Sequence, residues 1–199
     1  MTLGWALLLG IGLGLRHATD ADHVVAVGTM LHRESSPLRA ARLAALWGAG
    51  HSLTFLALGL LVVLTGVRLP PVFDRAAEGL VGAMLVGLGA WTLLRILRRN
   101  PAGKLRWRPV AVGVVHGLAG SAAIALLALA AIPTRAGALL YLGVFCVGTV
   151  MGMMLLTAAM AWGLGWSQRR HGDAPRPLLV AVSLASVALG IVVGARALS

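Results

Sequence analysis

Six apolar stretches, residues 3–31, 43–67, 77–97, 110–132, 137–166 and 178–198, set the limits on what this chain can fold into. Each is long enough to cross a bilayer as a helix, which takes about 20 mostly apolar residues. Lipid offers the backbone no hydrogen-bond partners, so such stretches must satisfy their own polar groups, as helices do. Hydrophobic residues make up 59% of the 199 and charged ones 12%, too apolar a balance for a soluble domain. The sequence therefore predicts an all-α integral membrane protein of six transmembrane helices, with residues 1–199 as one domain. The 26 glycines suit close helix packing in lipid. The N-terminal run has no basic n-region and no small-residue cleavage site, so it is expected to stay as a helix rather than act as a signal peptide.

The formal net charge is +11. In a soluble protein that would suggest nucleic acid, but here the basic residues fall between apolar stretches and nothing resembles a nucleic-acid module. The first connection holds Arg33, Arg39 and Arg42. The third holds Arg95, Arg98, Arg99, Lys104, Arg106 and Arg108, and the fifth Arg169, Arg170 and Arg176. The second and fourth carry only Arg68, Arg75 and Arg135. Basic connections stay in the cytoplasm, which predicts both termini outside and Asp74 and Glu78 at the outer surface. The halves 1–100 and 101–199 also resemble each other faintly. "LGLRHATDADHVVAV" aligns with "VGVVHGLAGSAAIAL", matching Gly14 to Gly113 and His17 to His116, and Gly89 and Arg95 match Gly190 and Arg196. Three helices per half gives an inverted repeat, an architecture of many secondary transporters.

Inside the first stretch lie Arg16, His17, Asp20, Asp22 and His23. Ionisable groups in lipid are costly and mark function. On a regular helix, at about 100° per residue, His17, Asp20 and His23 share an arc of about 120°. Arg16 falls on that arc, four residues from Asp20, where an ion pair is expected; Asp22 points elsewhere. The stretch is too long for one straight span, so a kink or break is expected near the cluster. Imidazole nitrogen with carboxylate oxygen suits borderline divalent transition ions. Calcium would want more oxygen, and the lone cysteine, Cys146, rules out a thiolate site within one chain.

Two more histidines fall inside stretches. His51 stands with Ser52 and Thr54 in "GHSLTF", and His116 with Ser121 in "VVHGLAGSAA", each beside small residues that let another helix approach. His116, Ser52, Ser121 and Arg16 are secondary candidates. Met151, Met153, Met154 and Met160 are read as packing. Several functions remain open from the residues alone: metal transport, a proton relay, an intramembrane metal-dependent hydrolase, or a partner that delivers metal without carrying it. Against catalysis, there is no H-E-x-x-H element and no glutamate securely inside a stretch to act as base. The chain has no phosphate-binding loop for ATP hydrolysis.

"HATDADH", a His-x4-Asp-His pattern preceded by Arg16, resembles the signature of the nickel/cobalt permease family, and "GHSLTF" resembles that family's second motif. The resemblance implies passage of Ni²⁺ or Co²⁺ across the cytoplasmic membrane as substrate, with no prosthetic group and no enzymatic activity. It implies that His17, Asp22 and His23 are the essential positions, with Asp20 in the gap and His51 from the second motif. Classical members are longer and carry a helix before the signature. This chain is more similar to the compact, urease-accessory-type relatives, which leaves metal choice and import or efflux open. Beyond the bilayer, the expected partners are the metal ion, nickel-enzyme maturation proteins and a second copy of the chain.

Overall fold

The computed structural model describes residues 3–31, 36–67, 69–98, 108–118, 132, 134–171 and 176–198. These form α1 (Leu3–His17), α2 (Ala21–Met30), α3 (Pro37–Thr65), α4 (Pro71–Leu97), α5 (Arg108–His116), α6 (Arg135–His171) and α7 (Arg176–Leu198). Among the described residues, α3, α4, α7 and most of α6 are long and apolar enough to cross a membrane. Of the predicted stretch 110–132 only residues 110–118 and Ile132 are described, and Ser121 lies outside the described residues.

The first stretch breaks. α1 has 15 residues, about 22 Å of helix, too little for a hydrocarbon core of about 30 Å. Its last turn tightens through Thr19 N–H to the Arg16 carbonyl (2.9 Å) and Asp20 N–H to the His17 carbonyl (3.1 Å). The Thr19 hydroxyl also donates to the Arg16 carbonyl at 2.6 Å. Asp20 is extended (φ −60°, ψ 147°) and opens α2, whose first turn carries Asp22. Threonine and aspartate offer the backbone side-chain alternatives to helix, and an acid near a helix N-terminus meets the positive end of its dipole.

Two connections are shorter than the sequence suggests. Pro37 follows the extended Ser36 and starts α3, and Pro71 follows the extended Pro70 and starts α4. Proline at the first helical position loses no hydrogen bond, so the helices begin ahead of the apolar runs at 43 and 77. Arg39, Arg42, Asp74 and Glu78 are consequently helical. Gly66, in the left-handed region at φ 71°, ends α3 with its N–H on the Val62 carbonyl.

α3 packs on α6 and α5, α1 on α6, α4 on α7, and α2 on α7 and α4. The outside of the bundle is apolar: Leu53, Leu155, Trp162 and Ile191 are exposed, as lipid-facing side chains should be. The inside holds His17, His23, His51, His116, Thr149, Ser183 and Ser186. Arg95 lies over Trp91 and Arg170 over Trp166, at 4.9 and 4.5 Å from the ring centroids, pairings suited to a membrane interface.

Two glycines set how closely the short helices approach. A Cβ on Gly113 of α5 would collide with the Trp47 carbonyl oxygen and His51 nitrogen of α3, and one on Gly14 of α1 with the Phe145 carbonyl oxygen and Thr149 nitrogen of α6. Gly113→Ala should lower the melting temperature in detergent, an overpacking cost of about 1–3 kcal/mol. Gly143→Ala, where a Cβ meets nothing within 4 Å, should leave it unchanged or raise it. Equal melting temperatures for the two variants would contradict the close α3–α5 contact.

Candidate metal centre

Four imidazoles converge where α1 and α5 end. His17 is the last residue of α1 and His116 the last of α5; His23 lies in the first turn of α2 and His51 midway along α3. His23 and His116 are fully buried, and His17 and His51 nearly so. Ring centroids are 4.6 Å apart for His17–His23, 5.1 Å for His17–His51, 5.2 Å for His23–His51 and 4.3 Å for His23–His116. Helix C-termini carry partial negative charge, so two of them ending at this cluster favour a cation there.

The two aspartates grip the rings. Asp20 Oδ2 accepts from His17 Nδ1 at 2.9 Å. Asp22 Oδ1 accepts from His23 Nδ1 at 3.1 Å and from the His23 backbone N–H at 2.9 Å, while Oδ2 accepts from His116 Nε2 at 2.9 Å. A carboxylate on one ring nitrogen fixes the tautomer and turns the other nitrogen's lone pair toward a metal. For His17 that nitrogen is Nε2, which lies 3.1 Å from His51 Nε2. Imidazoles sharing one ion at bond lengths of about 2.0–2.1 Å place their nitrogens about 2.9–3.4 Å apart, so this pair already has the spacing. The His23 Nε2, His51 Nδ1 and His116 Nδ1 atoms are buried without a hydrogen-bond partner among the described residues. Buried polar atoms are rarely left so, and a ligand is one remedy. Two sets of ligand atoms lie within 4.8 Å of one another: His17, His23 and His51, and Asp22, His23 and His116.

The break in the first stretch changes the expected geometry. His17 and His23 meet across the turn at 18–20 rather than along one regular helical face, and Asp20, with 40% of its side chain exposed, sits at the edge. Asp22, which a straight helix would turn away, faces His116 on α5. Asp20 is paired with His17, and among the described residues no ion pair joins it to the exposed Arg16. The Ser52 hydroxyl points to the Cys146 carbonyl on α6 at 3.5 Å, a packing contact away from the rings.

Two aromatic residues at the cluster escaped the sequence reading. Trp47, fully buried, lies 5.3 Å from His23 and 5.8 Å from His116. Its place four residues before His51 on α3 was the available signal. Phe145 lies 5.8 Å from His17 and 4.8 Å from Phe55, both ring to ring. It reaches the cluster only through the packing of α6 on α1, for which no local pattern exists.

These features define a class: an all-helical membrane protein with a buried histidine–aspartate centre at a broken helix. The chain is 30% identical over 181 residues to the urease accessory protein UreH of Bacillus sp. (strain TB-90), a match covering 82% of this chain and 79% of that protein. It belongs to the UreH family. It is also similar to the Arabidopsis thaliana chloroplast proteins FOR GROWTH AND FERTILITY 1 and 2, at 30% and 27% identity over 79% and 97% of this chain. The matches span 49% and 56% of those two relatives, about half their length. No family model matches the chain, and no solved structure does.

Proposed function

We propose that the chain is a permease, not an enzyme, that carries a divalent transition-metal ion, Ni²⁺ or Co²⁺, inward across the cytoplasmic membrane. The observation that carries this reading is the cluster of four buried imidazoles, three of them held by two aspartates, inside an apolar bundle. The nitrogen-rich donor set suits nickel and cobalt. The likeness to a urease accessory protein supports nickel as the cargo and a nickel enzyme as its destination. That likeness also favours a second reading, in which the protein hands nickel to the urease maturation machinery without carrying it through the membrane.

In this reading the chain spans six times with both termini outside, and residues 1–100 and 101–199 are inverted repeats. Reciprocal packing supports the repeats. Gly82 and Gly190 each approach the other's carbonyl oxygen. Gly14 of α1 lies against α6 much as Gly113 of α5 lies against α3. An inside-negative potential favours entry of a double charge by about 4.6 kcal/mol per 100 mV, twice the single-charge value, enough to drive uptake without ATP.

Flux of ⁶³Ni²⁺ into liposomes holding the purified protein tests the proposal, with metal delivery without flux as the rival outcome. Two further results are expected. Ligand nitrogens must be free of protons and carboxylates ionised, so external acid should lower the initial rate, and a rate that rises as the pH falls would contradict the donor set. Asp20→Asn should weaken nickel affinity by about 10–100-fold, the usual loss for an outer partner of a metal-binding histidine, as measured by equilibrium ⁶³Ni²⁺ binding. Unchanged affinity would show that the His17–Asp20 contact has no part in binding.

A further inference from the structure

His23 faces two ligand sets at once. Its Nδ1 lies 3.1 Å from Asp22, and its Nε2 is buried with no hydrogen-bond partner among the described residues. The set His17, His23 and His51 belongs wholly to α1, α2 and α3, whereas Asp22, His23 and His116 reach across to α5. We propose that these are two successive binding positions for one divalent transition-metal ion, and that the ion crosses the protein by passing from one side of His23 to the other. This rests on the transport reading above.

Simultaneous occupancy of a neutral ring is opposed by charge and by bonding. Ions on both nitrogens of one imidazole would sit about 6 Å apart, given metal–nitrogen bonds of about 2.0–2.1 Å, and two dications repel strongly at that distance with no water between. A neutral imidazole also has only one bare nitrogen at a time. With the proton on Nδ1, bonded to Asp22, His23 presents Nε2 to the first position. For the second, water takes the Nδ1 proton by way of the Asp22 carboxylate and returns one to Nε2, and His116 exchanges its Nε2 proton for one on Nδ1 in the same way, so that His23 Nδ1 and His116 Nε2 meet the ion bare.

The hydrogen bonds around the two positions give the order. In the first position one neutral bond, His17 to His51 at 3.1 Å, has to open, and His23 Nε2 already lacks a partner. The second is closed by its own hydrogen bonds, His23 and His116 each donating to one oxygen of Asp22. Bonds to a carboxylate are stronger than bonds between neutral groups, so an arriving ion meets the first position open and the second shut. His116 is the one ligand in either set that comes from the second half of the chain. Transfer to it therefore joins the ion to both halves, as an alternating-access step requires.

The test uses full-length protein in detergent, titrated with ⁶³Ni²⁺ for stoichiometry and with Co²⁺ for its ligand-field absorption, and the same proteins in liposomes for ⁶³Ni²⁺ flux. Wild type should bind one ion per chain, a measurement that needs no variant; two ions bound together would overturn the proposal. His116→Asn should still bind one ion, in the first position, yet lose at least tenfold in flux. His51→Asn should also bind one ion, more weakly, with a Co²⁺ spectrum distinct from that of His116→Asn, because the ion rests in the other position. Wild-type flux in His116→Asn, or one shared spectrum in both variants, would overturn the two positions while leaving transport standing. Two distinct spectra with no flux in wild type would leave the two positions standing and sink transport.

Discussion

His23→Ala should abolish ⁶³Ni²⁺ accumulation, with the variant protein still reaching the membrane. His23 is fully buried and is the residue shared by both ligand sets, its ring 4.6 Å from His17 and 4.3 Å from His116. Losing an outer partner of a metal ligand costs about 10–100-fold. Losing a ligand common to every arrangement of the centre should cost more, beyond 100-fold in initial uptake rate. The variant should still insert, because the first stretch stays apolar and the break at 18–20 is set by Thr19 and Asp20 rather than by this ring. Normal accumulation by correctly inserted His23→Ala would remove the centre from the transport path.

Asp22→Asn should be nearly as severe, although it changes the side-chain volume little. The carboxylate accepts from His23 and His116 through separate oxygens, at 3.1 and 2.9 Å, and among the described residues it is the only acid that touches two rings of the cluster. An asparagine has one acceptor oxygen, and its amide nitrogen only donates. One buried imidazole N–H is then left without an acceptor, and the centre loses the negative charge that offsets an arriving dication. The lost hydrogen bond to a charged group is about 1.5–3 kcal/mol, and the lost charge adds to it, so nickel affinity should fall by more than the about 10–100-fold expected of an outer partner alone. Equilibrium binding to the purified variant measures this. Asp20→Asn should fall clearly short of that loss, since Asp20 touches one ring from an exposed edge.

The contrast between these two acids shows what the sequence could and could not say. The residues that meet in the centre were legible as types and spacings: two histidines and two aspartates in seven positions, and a further histidine in each of two other apolar runs. Their geometry was not, because a regular helical arc assumes unbroken φ and ψ. The turn at 18–20 sent Asp20 to the edge and Asp22 toward α5. The signals for that break, Thr19 and Asp20, were present, but their effect depends on the tertiary contacts that hold the two short helices. Prolines were informative in another way. Pro37 and Pro71 stand ahead of the apolar runs at 43 and 77, and in the fold each occupies the first helical position and lengthens its helix. The aromatic side of the cluster was half legible, Trp47 through its register with His51 and Phe145 not at all.

The most direct measurement is ⁶³Ni²⁺ flux into liposomes containing the purified full-length protein, under an imposed inside-negative potential, with His23→Ala liposomes in parallel. The account predicts saturable, potential-dependent entry by the wild type that competes with Co²⁺ and is absent in the variant. Wild-type flux no greater than that of protein-free liposomes, under either sign of potential, would contradict it.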